Sequence, residues 1–199
     1  MKRLNLISPV LLLLLAVPFL SAQSCQTRDE IPDATRTAIE NSAQQIFTQA
    51  ASGDVNTLQA NSIPMLQSNF SGIAGAVNDN KPAFAGAKPQ LRTTFLLDTG
   101  ANASPDGQFY CGIFGANGMS ANGAEFVIPN LPVGKYAVVI QDFIGPKGPY
   151  ALSTILQDMN GWKLAGFYIR PAAASGHDGL WYLKQAREYY YRHLKKESS

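Results

Sequence analysis

The chain has 199 residues, 46% of them hydrophobic, with 16 Lys and Arg against 14 Asp and Glu for a formal charge of +2. That length and apolar share suffice for one domain with a real core, and they exclude a chain disordered throughout. Only 15% of the residues are charged, and the near balance of sign excludes the basic footprint of a nucleic-acid binder.

Met1-Lys2-Arg3 gives a positive start, Leu4 to Leu20 is almost wholly apolar, and Ser21-Ala22-Gln23-Ser24 is a small, polar exit. This is the pattern of a secretory signal peptide over residues 1–24. The expected destination is a bacterial periplasm, envelope or medium. Removing the leader takes Lys2 and Arg3 and no acid, so the mature chain is formally neutral. Residues 25–32 are polar, include Pro32, and read as a tether.

Cys25 and Cys111 are the only cysteines, and in an oxidising compartment two outcomes are open to them. They can join in a disulfide. Alternatively Cys25, directly after the exit, resembles the lipid-bearing cysteine of bacterial lipoproteins and would tether the chain to a membrane. Ala22-Gln23-Ser24 departs from that family's usual Leu followed by two small residues.

From Asp33 the period becomes helical. Ala34, Ala38, Ile39, Ala43, Ile46, Phe47 and Ala50 form one stripe, with Asp33 or Thr35 as a cap and Gly53 as a stop. Leu58, Ile63, Met65, Leu66, Phe70, Ile73 and Val77 continue an apolar helical face. Pro82, Gly86 and Pro89 then mark residues 78–90 as a loop with about one helical turn. Beyond it the period is two. Strands are expected at 91–97, 108–114, 124–128 and 134–143, with a Gly- and Asn-rich turn over 115–123.

Tyr150 to Gln157 and Trp162 to Ile169 are two β-rich arms around Asp158-Met159-Asn160-Gly161, a hairpin that Pro171 ends. The order, helices first and a mainly antiparallel sheet afterwards, is that of an α+β domain over residues 33–171 whose N-terminal helices cover one face of a curved sheet. Residues 172–199 add a loop and a C-terminal amphipathic helix from Leu180 to Lys196. Its stripe is Leu183, Ala186, Tyr190 and Leu194, and Lys184, Arg187, Arg192, Lys195 and Lys196 occupy the rest. Asp178 is its expected cap, and Trp181 and Tyr190 are expected to clamp it to the sheet.

Two initial helices, a curved antiparallel sheet, and the final Asp158-Met159-Asn160-Gly161-Trp162-Lys163-Leu164-Ala165-Gly166-Phe167 resemble the NTF2-like, cystatin-fold superfamily, which includes ketosteroid-isomerase-like members. Gly179-Leu180-Trp181-Tyr182-Leu183-Lys184-Gln185-Ala186-Arg187-Glu188-Tyr189 resembles the tail of exported, uncharacterised bacterial members. The resemblance implies a cone enclosing an apolar pocket, with Trp162, Phe167 and Tyr168 as its candidate lining. Some members use that pocket for isomerase, dehydratase or hydrolase chemistry, and others only bind.

Proton abstraction beside a carbonyl needs a carboxylate base and a donor for the resulting oxyanion. Asp142 and Tyr136, an even number of residues apart on one strand, are the candidate base and donor; the competing reading leaves Asp142 in water and the hydroxyls at the rim. His177 and Asp178 read more simply as a loop residue and a helix cap than as ligands or an acid/base pair. Ser71, Ser104 and Ser153 sit in no Gly-x-Ser-x-Gly motif. No metal or cofactor is expected. The first expectation is a non-enzymatic envelope binding or interaction module, with a small apolar ligand, an envelope protein or a second copy as partner. A small-molecule isomerase or dehydratase and a structural component of an envelope assembly are the alternatives.

Overall fold

The computed structural model describes residues 23–100, 106–112 and 123–197. Most of the export leader, Ser104, and the Gly- and Asn-rich turn at 115–122 therefore lie outside the described residues.

Helix α1 (Asp33–Ser52) starts after Pro32 without a side-chain cap, and Gly53 closes it in the left-handed region at φ 72°. There its N–H returns to the Ala50 carbonyl and that of Asp54 to Gln49, the geometry glycine adopts without strain. Of the expected stripe, Ile39, Ala43, Ile46, Phe47 and Ala50 are buried, while Ala34 and Ala38 in the first turns are exposed. The apolar run that follows is not one helix. It is broken into α2 (Val55–Ala60), α3 (Pro64–Gln67) and α4 (Ser71–Asp79), and the predicted single turn in the following loop is α5 (Lys81–Phe84). Pro64 stands at the start of α3 because it lacks the N–H that an unbroken helix would need.

Five strands form the main sheet: β1 (Ser24–Thr27), β2 (Gln90–Asp98), β5 (Lys135–Gly145), β6 (Gly148–Asp158) and β7 (Trp162–Pro171), in the order β1-β2-β5-β6-β7 and antiparallel throughout. The expected tether is therefore corrected. Residues 24–27 pair with 95–98 as an edge strand, and Ile31 is buried in the core, so this segment is fixed by backbone bonds and apolar burial. The β6–β7 hairpin turns through Asn160 and Gly161, both at positive φ, as the sequence requires.

The other correction concerns β3 (Asp106–Cys111) and β4 (Ala124–Pro129). They leave the main sheet and pair with each other as a separate ribbon. Phe109 and Cys111 are buried on one side of β3 and Gln108 and Tyr110 are exposed on the other. A ribbon with one apolar face satisfies it by lying flat on another sheet rather than by joining its edge.

The main sheet consequently has two covered faces. Helices α1 to α5 cover the side bearing Ala137, Val139 and Phe143 of β5 and Tyr150, Leu152 and Leu156 of β6. Phe47, Phe84, Phe143 and Tyr150 form a ring cluster there with centroids 5.2–5.5 Å apart. A Cβ on Gly145 would run into the Ala83 carbonyl oxygen, so α5 sits directly on the β5–β6 turn. The ribbon covers part of the opposite side, over Phe95, Leu97, Tyr136 and Val138.

Two bulges set which residues reach which face. Leu91 and Thr93 oppose Gln141 and Ile140, leaving Arg92 extra on β2; Leu164 and Gly166 oppose Leu156 and Ile155, leaving Ala165 extra on β7. An extra residue reverses the inside-outside alternation. Hence Trp162 and Leu164 face the helices before the bulge, and Phe167 and Ile169 face them after it.

After β7 the chain makes a small hairpin, β8 (Ala173–Ala174) and β9 (His177–Asp178), and then helix α6 (Gly179–Glu197).

Candidate functional site

The proposed base and donor share a face of β5, as their even spacing predicts, but it is the ribbon side and not the helix side where a cone would hold its ligand. Six residues of extended strand separate them by about 20 Å. Asp142 accepts two hydrogen bonds from Arg92, 2.8 Å from Nε and 2.6 Å from Nη2. That forked pairing ties its carboxylate to the β2 bulge. The Tyr136 hydroxyl donates to the Pro132 carbonyl at 3.0 Å, and burial raises its pKa above the usual tyrosine value. Each group is engaged where it stands, and the structure does not assemble them into an acid/base pair.

The candidate pocket residues are likewise dispersed. Phe167 is a core residue, Trp162 is half-buried against the same core, and Tyr168, the next residue after Phe167, is exposed on the other face. The space between helices and sheet holds the Phe47, Phe84, Phe143 and Tyr150 rings instead.

Polar groups that the sequence did not single out do face the helices. Thr94 and Thr154 are fully buried and Gln141 nearly so. The Thr94 hydroxyl donates to Glu40 of α1 at 3.2 Å, and Glu40 also accepts 2.9 and 3.2 Å bonds from Arg28. Gln141 Oε1 and Thr154 Oγ1 have no partner among the described protein groups. Nothing in the sequence distinguished them from outward-facing polar residues of the same strands.

Cys25 and Cys111 are joined in a disulfide, with Cα atoms 5.1 Å apart at a sequence separation of 86. It pins the ribbon to the edge strand β1. A sulfur in this bond is not available to a lipid thioether, so the two outcomes left open for Cys25 exclude each other.

The other notable constellation lies at the start of α6. Asp178 accepts the Trp181 backbone N–H at 2.8 Å, the expected cap. The His177 and Trp181 rings stack with centroids 3.7 Å apart, and the Tyr182 hydroxyl donates to the Ala174 carbonyl at 2.8 Å. The expected clamp onto the sheet does not form. Trp181 packs on its own hairpin, and Tyr190 is 61% exposed. Leu180 at 75% and Tyr191 at 67% are exposed with it. A shallow concavity of about 480 Å³ runs along the helix, and all six residues lining it (Tyr182, Gln185, Ala186, Glu188, Tyr189 and Arg192) belong to α6. It is a face with one wall.

Among the described residues, no group of three or more His, Cys, Asp or Glu side chains is arranged to hold a metal ion, and no helix is long and apolar enough to cross a membrane. The arrangement offers a large aromatic and aliphatic contact surface rather than an assembled nucleophile and base. Comparison with protein-family models found no match, nor did comparison with curated proteins or with solved structures.

Proposed function

We propose that this chain is an exported, non-enzymatic interaction module: a disulfide-pinned α+β body of the NTF2-like kind that presents a C-terminal helix to a partner in the envelope. The observation that carries this reading is the exposure of Leu180, Leu183, Tyr190 and Tyr191 on a helix anchored through its first turn. A soluble helix normally buries its apolar stripe, and most helical stability in proteins comes from that burial. Export is supported by the leader pattern of residues 1–24 and agrees with the Cys25–Cys111 bond, which persists in oxidising compartments. The NTF2-like assignment is supported by helices on one face of a bulged antiparallel sheet.

Amide hydrogen exchange tests the proposal. In dilute, purified protein the amides of α6 beyond its first turn should exchange orders of magnitude faster than those of α1, and adding whole envelope fraction should slow them selectively. Equal protection of α1 and α6 in dilute monomer would overturn the proposal, as would an α6 unaffected by the envelope.

A further inference from the structure

We infer that the partner of α6 is an anionic lipid surface, on which the helix lies flat with its apolar arc at the headgroup boundary. The inference rests on the interaction-module reading above and names its occupant.

The first support is the distribution of side chains around the helix. At about 100° per residue, Leu180, Leu183 and Tyr190 share one side, with Tyr191 on one flank and Ala186 and Tyr182 on the other, so the arc covers about half of the circumference. Lys184 and Arg192 project from the opposite half. A folded protein groove grips a narrower stripe, whereas a helix sunk into an interface is wetted by lipid over a wide arc. Arg187 falls inside the arc, between Leu180 and Leu183. Its long stem can run along the apolar side while the guanidinium rises to the phosphates.

Residue type is the second support. Leucine and tyrosine supply the large apolar side chains of the arc, which by the same spacing also takes in His193 and Glu197, and a tyrosine ring with a wet hydroxyl belongs at a water–hydrocarbon boundary. The Tyr190 and Tyr191 rings contact each other at 5.9 Å and remain largely exposed, so neither is withdrawn into the body.

Charge is the third, and it separates lipid from a neutral protein surface, while a second copy of this chain is distinguished by the test below. Residues 179–199 carry five Lys and Arg against two Glu, and residues 25–178 carry nine against twelve Asp and Glu. The mature chain is neutral as a whole and divided within. An anionic surface attracts the basic helix and repels the acidic body, so charge alone orients the molecule helix inward. Such attraction is screened by salt, while the apolar part is not.

The test is flotation of the full mature chain, disulfide intact, with vesicles of phosphatidylcholine alone and of phosphatidylcholine mixed with phosphatidylglycerol. The expected result is flotation with the mixed vesicles, at least tenfold weaker with phosphatidylcholine alone, and falling as salt rises from about 0.1 to about 1 M. Leu183→Glu with Tyr190→Glu should abolish it, and Lys184→Glu with Arg192→Glu should remove its dependence on lipid charge. Both variants keep the thermal midpoint of the parent, since they alter exposed positions on a helix the body does not need. Absence of flotation with both vesicle types overturns the lipid inference; if whole envelope still protects α6 amides in that case, the module reading stands with a protein partner. Flotation that survives Leu183→Glu with Tyr190→Glu overturns it too, by assigning membrane contact to another surface. A dimer that these two substitutions dissolve, with no flotation, transfers the face to a second copy.

Discussion

Helices α1 and α6 are nearly equal in length, at 20 and 19 residues, and both read as amphipathic in the sequence, yet their surroundings are opposite. The buried stripe of α1 is Ile39, Ala43, Ile46, Phe47 and Ala50. Its alanines let the backbone approach the sheet while Phe47 enters the ring cluster at 5.2 and 5.3 Å from Phe143 and Phe84. The stripe of α6 mixes leucine with tyrosine and interleaves Arg187. Bulky rings with polar tips hold a helix away from a dry core. Helical periodicity says that a face needs covering; the size and polarity of the residues on that face say whether the same chain can cover it.

The sharpest way to break this comparison is to truncate one aromatic from each helix. Phe47→Ala should cost about 3–5 kcal/mol of global stability, because it opens a cavity among Phe84, Phe143 and Tyr150. Tyr190→Ala should stay within about 0.5 kcal/mol, as exposed positions do. Denaturant titration of both variants measures the contrast, and an equally damaging Tyr190→Ala would mean that α6 packs on the body after all.

A somewhat smaller effect is expected from Cys25→Ala with Cys111→Ala. A disulfide typically contributes about 2–4 kcal/mol, chiefly through the unfolded chain. The loss should appear in the melting of the body and of the ribbon over Phe95, Leu97 and Tyr136, while the circular dichroism contributed by α6 is unchanged. A melting midpoint that does not move would show that the ribbon is held by its apolar contacts alone.

The smallest effect is local. Asp178→Ala removes the cap of α6 and should cost that helix about 1 kcal/mol, visible as lower helicity with an unchanged global midpoint. Since α1 starts with no side-chain cap at all, the two helices differ in what starts them as well as in what holds them. A drop in the global midpoint would show that α6 and the body unfold as one unit.

Much of the fold was legible because its signals are local. Gly53 ended α1, Asn160-Gly161 turned the last hairpin, Asp178 capped α6, and period-two runs located β2, β5, β6 and β7 within a few residues. What escaped depended on contacts distant in sequence. Residues 24–27 look polar and become an edge strand because β2 offers them a row of backbone partners. Strands β3 and β4 carry an ordinary alternation, and no local feature says that their apolar face will meet a second sheet. The site was less legible still. One extra residue at Ala165 decides that Phe167 enters the core and Tyr168 does not, and Arg92, extra in its own strand, captures Asp142 across 50 positions of sequence. Even spacing predicted correctly that Tyr136 and Asp142 share a face. It could not say which face, nor that about 20 Å of extended backbone keeps them apart.

The Cys25–Cys111 bond also determines how this molecule would carry load. If α6 is seated on a surface and the start of the chain is pulled, tension enters at Cys25, crosses the sulfur bridge to Cys111 and continues through β4 to β7, bypassing residues 26–110. Helices α1 to α5 and strand β2 then lie off the line of force. At about 3.5 Å per residue, the stretch from 112 to 197 could extend to about 300 Å, roughly half the reach of the same chain with the bridge reduced. Reduction would therefore double the reach of the fully unfolded chain and place residues 26–110 on the line of force, where the backbone pairing of β1 with β2 would have to carry the load.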